Sequence, residues 1–222
     1  MKQLTKIANK YGTDRGTECG ERHGYTEIYD KYFKPYKGKT PVILELGSYK
    51  GAGIKTYNEY FKGDCLIYAF DSDLTYLQGS GVEEMSNVVL YEGDISVRYG
   101  VQHFVEFLKE HGVKFDIIID DCSHQTPHQS YTLYELMPFM NVGGIYIIED
   151  LHTHVWEDPK ASLLYSLMFN QQFQYLTEAE SVVLKEAIDG VEIYTKHNPF
   201  EELCKTSMTS IITFKSIQKE NV

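Results

Sequence analysis

Basic residues are in short supply in this chain. Its 21 Lys and Arg stand against 32 Asp and Glu, a formal net charge of −11 at pH 7. That balance argues against a general nucleic-acid or anionic-membrane surface. Long apolar runs are missing too: nothing approaches the roughly 20 residues that cross a bilayer. Cysteine is sparse, and Cys19, Cys65, Cys122 and Cys204 are scattered without paired metal-ligand spacing. With no signal peptide in view, the expectation is reduced thiols in a cytoplasm. There is one tryptophan, and no internal repeat or low-complexity segment. Tyrosine, by contrast, is abundant, at 18 of 222 residues. The length suits one well-buried core. The expected organisation is a single domain over 1–222, with N-terminal helices and a loop over 1–40 and the core over 41–222.

The most informative stretch is 115–128, FDIIIDDCSHQTPH. Ile117, Ile118 and Ile119 make a continuous β-branched run, the pattern of a strand buried on both faces of a parallel sheet. It ends in Asp120 and Asp121, with His124 three residues on and a helix expected to follow. Residues 143–154, GGIYIIEDLHTH, repeat the pattern: Ile145 to Ile148, then Glu149 and Asp150. Ligands of open α/β sheets bind outside the carboxyl ends of strands. If the two strands are parallel neighbours, four carboxylates and an imidazole meet at one sheet edge. A single acid at a strand end commonly caps a helix or meets solvent. Two acidic pairs at equivalent ends instead call for a cation or a shared proton, because packed carboxylates repel.

Strands and helices alternate up to residue 150, the mark of a doubly wound parallel sheet of the α/β class. Leu4, Ile7 and Ala8 fit a short helix stopped by Gly12. The loop YGTDRGTECGERHGY over 11–25 reads as a lid over a ligand site, and residues 26–36 read as helix. Strand 42–46 runs into ELGSYKGAG, where small residues let the backbone approach a ligand and the next helix offers free N–H groups. The spacing Gly47, Gly51, Gly53 is not that of the dinucleotide fingerprint. Strand 66–70 ends in Asp71, placed to accept two hydrogen bonds from a ribose diol, with Asp73 as competitor. Strand 88–91 is followed by Gly93 and Asp94, and residues 104–111 read as helix, with the central strand after them. Beyond Asp150, the segment 151–159 with His152, His154 and Trp156 should border the site. Residues 160–176 read as helix. Residues 191–195 and 210–214 read as an antiparallel hairpin closing the sheet, with Glu201 and Glu202 as solvated surface.

ELGSYKGAG, Asp71 and Gly93–Asp94 together resemble the cofactor-binding series of class I S-adenosylmethionine methyltransferases, a Rossmann-like fold. YGTDRGT…HGYTEIYDKYF, IIDDCSH and IEDLHT are similar to the metal-dependent sugar O-methyltransferases of the mycinamicin kind. The resemblance spans roughly residues 8–156, and the order of the motifs is its most specific feature. It implies Asp121, Glu149 and Asp150 as ligands of Mg²⁺ or another divalent cation and His124 as general base. It implies Thr13, Glu45, Gly47, Ser48, Asp71, Gly93, Asp94 and Asp120 around S-adenosylmethionine. The implied acceptor is a small-molecule sugar or glycoside, with no nucleic acid and no membrane involved. Some relatives carry a large additional N-terminal domain absent here, so a homo-oligomer of this chain need not follow theirs. Cys122 stands where the pattern has glycine, which puts the loop geometry before His124 in question.

The chemistry suits these residues independently. Methyl transfer from a sulfonium is an in-line displacement by an oxygen held against the methyl carbon. Three carboxylates suit a hard cation that acidifies a sugar hydroxyl, and an imidazole removes its proton. A metal-dependent hydrolase would use the same carboxylates on water but leaves the Gly47 loop, Asp71 and Asp94 without work. A nicotinamide dehydrogenase fits Asp71 but fails the glycine spacing. A non-catalytic nucleoside-binding protein leaves His124 and the acids unexplained.

Overall fold

The computed structural model describes residues 1–151, 160, 162–197 and 206–215. Each buried run becomes a strand: β1 (Val42–Leu46), β2 (Leu66–Asp71), β3 (Val88–Glu92), β4 (Phe115–Asp120) and β5 (Met140–Ile148), followed by β6 (Ile188–His197) and β7 (Thr206–Phe214). They form one seven-stranded sheet in the order β3-β2-β1-β4-β5-β7-β6. Pairings among β1 to β5 are parallel, whereas β7 runs antiparallel to both β5 and β6. The doubly wound, mostly parallel sheet and its antiparallel closing pair are therefore as expected, with β7 inserted next to β5.

Helices α1 (Gln3–Tyr11), α2 (Thr26–Phe33) and α3 (Ala52–Tyr60) cover one face. Helices α4 (Arg98–Glu110), α5 (Thr126–Leu136), α6 (Leu163–Phe169) and α7 (Glu178–Ala187) cover the other. Successive strand side chains point to opposite faces, and the two cores follow that parity. Ile43, Ile117, Ile119, Ile145 and Ile147 pack with Leu4, Tyr29, Phe33 and Ile54. Leu44, Ile118, Tyr146 and Ile148 pack with Phe104, Leu108 and Leu136. Burying each such side chain contributes about 1.5–3 kcal/mol, which explains why the runs are apolar on both faces. The same parity sends Glu45, Asp121 and Glu149 toward the α1–α3 face, and Asp120 toward the opposite one.

α1 ends at Gly12 with φ 74, the expected left-handed stop. α2 ends earlier than the sequence pattern, because Pro35 tightens Lys34–Tyr36 into a 3-10 turn. The helix expected over residues 160–176 is found only over α6. Asn170 closes it at φ 51. Phe173 and Leu176 are buried instead in a turn that folds back, with the Phe173 N–H donating to Ser181 Oγ at 3.0 Å. Their apolar spacing therefore serves a turn, not a helical face. α7, absent from the sequence expectation, opens on a capping box between Thr177 and Glu180. His152, His154, Trp156, Glu201, Glu202 and Cys204 lie outside the described residues. Cys19, Cys65 and Cys122 are free thiols. No helix among the described residues is long and apolar enough to cross a membrane.

Candidate active site

A cleft of about 410 Å³ opens at the carboxyl ends of the parallel strands. Gly47 leaves β1 at φ 87, and a Cβ there would lie 2.1 Å from the carbonyl oxygen of Asp121. Only glycine lets the β1 and β4 loops pass this closely. Tyr49 follows with φ 42, a rare conformation for a bulky residue, and its N–H donates to Asp71 Oδ2 at 2.8 Å. Asp71 Oδ1 accepts from the Asp73 N–H at 3.2 Å. Asp73 itself is taken up by the backbone and hydroxyl of Thr75, so Asp71, and not its competitor, lines the cleft. Asp94 also lines it. Hydrogen bonds from the Ser96 hydroxyl and N–H, both 2.7 Å, hold the Asp94 carboxyl below its ordinary range. A second cavity of about 390 Å³, beside α6 and α7, contains none of the expected site residues.

The acids at the strand ends divide into two groups. Asp121, His124 and Asp150 bring one ligand atom each to within 4.8 Å of one another, the spacing of a cation site. His124 Nε2 lies 3.0 Å from Asp121 Oδ1 and 3.7 Å from Asp150 Oδ2. His124 and Asp150 both have left-handed backbones, φ 55 and 54. Strain of this kind is held where the surroundings fix it, and it clusters at functional sites. Cys122 is accommodated without positive φ, so the loop before His124 forms without needing glycine there.

The second group surrounds Arg15, which is 4% exposed. Its Nε donates to both oxygens of Glu149 at 2.9 and 2.8 Å. Its Nη1 donates to Glu45 Oε1 at 2.6 Å, and its Nη2 to Asp121 Oδ2. Tyr29 adds a hydrogen bond to Glu149 Oε1 at 2.8 Å. Gly53 completes the arrangement, since a Cβ would lie 2.1 Å from Glu45 Oε1 and 2.5 Å from Arg15 Nη1.

Burial and charge act in opposition throughout. Burial pushes Glu45 up to about 7, with Arg15 opposing. Burial likewise drives Glu149 above the ordinary carboxylate range, again against Arg15. Burial also works to raise Asp121, but Arg15 and His124 outweigh it and hold that carboxyl below its usual value. For His124, burial disfavours charge, and Asp121, Asp150 and Asp120 reverse the sign to raise its pKa. Asp120 faces the other core beside Tyr146 (3.5 Å), and burial pushes it up to about 7.

Of the expected site residues, Gly47, Asp71, Asp94, Asp121, His124 and Asp150 therefore share one cleft. Glu45 and Glu149 sit beneath it on Arg15. Thr13 and Ser48 are buried within their own loops, Ser48 donating to the Phe70 carbonyl at 3.2 Å. Gly93 packs against the Phe70 ring. Sequence reasoning missed Arg15, Tyr25 and Tyr29, and Asp14, which lines the cleft. The signal available was an arginine-bearing loop ahead of an acidic set, with two tyrosines four residues apart, Tyr25 at the cap of α2 and Tyr29 within it.

No family model matches the chain. A solved structure described as MycE methyltransferase from the mycinamycin biosynthetic pathway, in complex with Mg, SAH and mycinamycin VI, superposes on 99% of this chain and 56% of its own, with a TM-score of 0.71 and 23% identity. The chain has the class I methyltransferase fold. Two relatives of the chain are O-methyltransferases by name. Demethylmacrocin O-methyltransferase of Streptomyces fradiae is 29% identical over 186 residues, 74% of this chain and 42% of that protein. Mycinamicin VI 2''-O-methyltransferase of Micromonospora griseorubida is 30% identical over 165 residues, 69% of this chain and 37% of that protein. The match thus spans about two-fifths of each relative's length.

Proposed function

We propose that this chain transfers a methyl group from S-adenosylmethionine to a hydroxyl of a sugar or glycosylated small molecule, assisted by a divalent cation. The observation that carries the reading is the Asp121–His124–Asp150 group, opening onto the same cleft as Gly47, Asp71 and Asp94. The donors fit the ion: the carboxylates of Asp121 and Asp150 are hard oxygen ligands of the kind that suit Mg²⁺, and His124 beside them is left to act as base. Asp121 and Asp150 would hold it, with Glu149, here bound to Arg15, as the third assigned carboxylate. When bound, the ion lowers the pKa of the acceptor hydroxyl and S-adenosylmethionine supplies the electrophilic methyl.

Everything else falls to the chain's own residues. Asp71 takes the ribose diol, as its carboxylate is already oriented by two backbone N–H groups. Gly47 lets the cofactor approach the backbone, and Asp94 borders it. His124 Nε2 removes the acceptor proton as the oxygen attacks the methyl carbon in line. The two relatives are O-methyltransferases by name, and a third, of Streptomyces olivaceus, is by name a 3'-O-methyltransferase of a rhamnosyl tetracenomycin, which supports the acceptor class. Free thiols at Cys19, Cys65 and Cys122 support a cytoplasmic setting. A hydrolase on the same acids would leave Asp71 and the Gly47 loop without a task.

The test is calorimetric titration of S-adenosylmethionine. The unaltered chain should bind it, and Asp71→Ala should bind more weakly by about 1.5–3 kcal/mol, the scale of hydrogen bonds to charged groups. Equal affinities would remove Asp71 from the cofactor site. No binding to the unaltered chain would remove the cofactor.

A further inference from the structure

Arg15 has no place in the chemistry above, yet it is the best-connected cation at the site. Its segment lies between α1 and α2, and its guanidinium reaches the ends of three adjacent strands: Glu45 on β1, Asp121 after β4 and Glu149 after β5. The recess is shaped for it, since a side chain at Gly53 would strike both Arg15 and Glu45. The backbone around it is tied as well. The His23 N–H donates to the Asp14 carbonyl at 2.8 Å and the Thr26 N–H to the Arg15 carbonyl at 3.1 Å.

Two features connect this nest to the cation group. Asp121 belongs to both, giving Oδ2 to Arg15 and Oδ1 to His124. Glu149 directly precedes Asp150, but both of its oxygens are engaged by Arg15. A fixed positive charge sharing a carboxylate with a cation site repels the incoming ion. It also withholds the negative charge that ion needs. The guanidinium cannot relieve this by losing its proton, because arginine stays charged in proteins.

We propose that Arg15 is a positioning residue that competes with the divalent cation for Asp121 and Glu149. It thereby orders the carboxylates before the ion arrives and keeps the ion's affinity low enough for exchange. The inference rests on Asp121, His124 and Asp150 being the cation site. Its consequence is that the ion and the guanidinium are partly interchangeable. In the absence of metal Arg15 neutralises the acids, and bound metal takes over part of that task.

Calorimetry with Mg²⁺ and melting curves in chelator and in saturating Mg²⁺ test this on the unaltered chain, Arg15→Gln and Arg15→Lys. Arg15→Gln should bind Mg²⁺ roughly tenfold or more tightly, as expected from removing one nearby charge in a partly buried site. Its melting temperature should fall in chelator and recover most of the loss in Mg²⁺. Arg15→Lys keeps the charge and should leave Mg²⁺ affinity near that of the unaltered chain. A residue that is merely structural would lower the melting temperature equally in both conditions, and unchanged or weaker Mg²⁺ binding in Arg15→Gln overturns the proposal. Should Arg15→Gln fail to fold, hydrogen exchange on the unaltered chain decides. Mg²⁺ should speed exchange at the His23 and Thr26 amides, and slowed or unchanged exchange there overturns the proposal. Mg²⁺ binding lost in Asp150→Asn but unaffected by Arg15→Gln defeats this inference alone. No Mg²⁺ binding by the unaltered chain defeats the cation site and the inference with it.

Discussion

The Tyr25 hydroxyl donates to Asp150 Oδ1 at 2.6 Å and accepts from the Met208 N–H at 3.0 Å. One buried phenol thus joins the N-terminal segment, the end of β5 and β7. It also holds the carboxylate whose own backbone is in the left-handed region. Tyr25→Phe keeps the ring, which stacks on His23 at 4.9 Å, and removes only the hydroxyl. A charge-assisted hydrogen bond of this kind is worth about 1.5–3 kcal/mol. Tyr25→Phe should lower the urea midpoint accordingly and weaken Mg²⁺ binding, as Asp150 loses its orientation. An unchanged midpoint together with unchanged Mg²⁺ affinity would mean that Tyr25 does not position Asp150.

For His124 the sign of the pKa shift matters. Burial opposes the charged ring, and the surrounding carboxylates outweigh it, so the folded value is raised above 6.5. In chelator, the protonated ring then contributes stability that is complete below pH 6.5 and is lost as pH rises through the folded value. A nearby divalent cation works against that charge, so Mg²⁺ should lower the His124 pKa measured by NMR. His124→Ala should reduce turnover by roughly 10²–10⁴-fold, the usual scale of general-base catalysis, with part of the loss regained at high pH. Asp121→Ala should impair Mg²⁺ binding and gain nothing from high pH. Equal loss of Mg²⁺ binding in both variants would make His124 a ligand and not the base.

Much of this architecture is written in local patterns. The apolar runs at Ile117–Ile119 and Ile145–Ile148 mark strands buried on both faces, and their equivalence places Asp121 and Asp150 at one edge. Gly12 and Gly47 mark turns through a conformation that few other residues adopt. Other features depend on contacts between distant residues. Glu149 and Asp150 are neighbours in sequence, yet strand parity and the φ of Asp150 send one to Arg15 and the other to His124. Arg15 meets Glu149 across 134 positions, and no local pattern announces such a pair. Asp120 and Asp121 look interchangeable in the sequence, but a one-residue step puts them on opposite faces. The apolar spacing of Phe173 and Leu176 imitates a helix because a fold-back turn happens to bury both.

Away from the site, Arg98 ties α4 to α5 through Glu135 at 2.8 Å and to α7 through Glu180 at 2.5 Å. Glu180 also closes the capping box of α7. The Arg98 hydrogen bond leads the causes that pull its carboxyl from 4.5 down to about 2. A depressed folded value contributes stability above pH 4.5 that is lost as pH falls toward 2. Glu180→Gln should therefore be less stable than the unaltered chain at pH 7, by about 1 kcal/mol for a partly exposed pair and a cap. Urea titrations should show that difference shrinking between pH 4.5 and pH 2 and constant from pH 5 to 8. A difference independent of pH would mean that the Glu180 charge contributes nothing.

The proposed reaction itself is tested by following labelled methyl from S-adenosylmethionine to a panel of glycosides and sugar nucleotides, with Mg²⁺, in chelator, and after Mg²⁺ is restored. The expected result is transfer to a sugar hydroxyl with Mg²⁺, loss of transfer in chelator while S-adenosylmethionine binding persists, and recovery on restoring the ion. Undiminished transfer in chelator, with removal of metal verified, would contradict a role for the cation held by Asp121 and Asp150 and leave His124 to act alone.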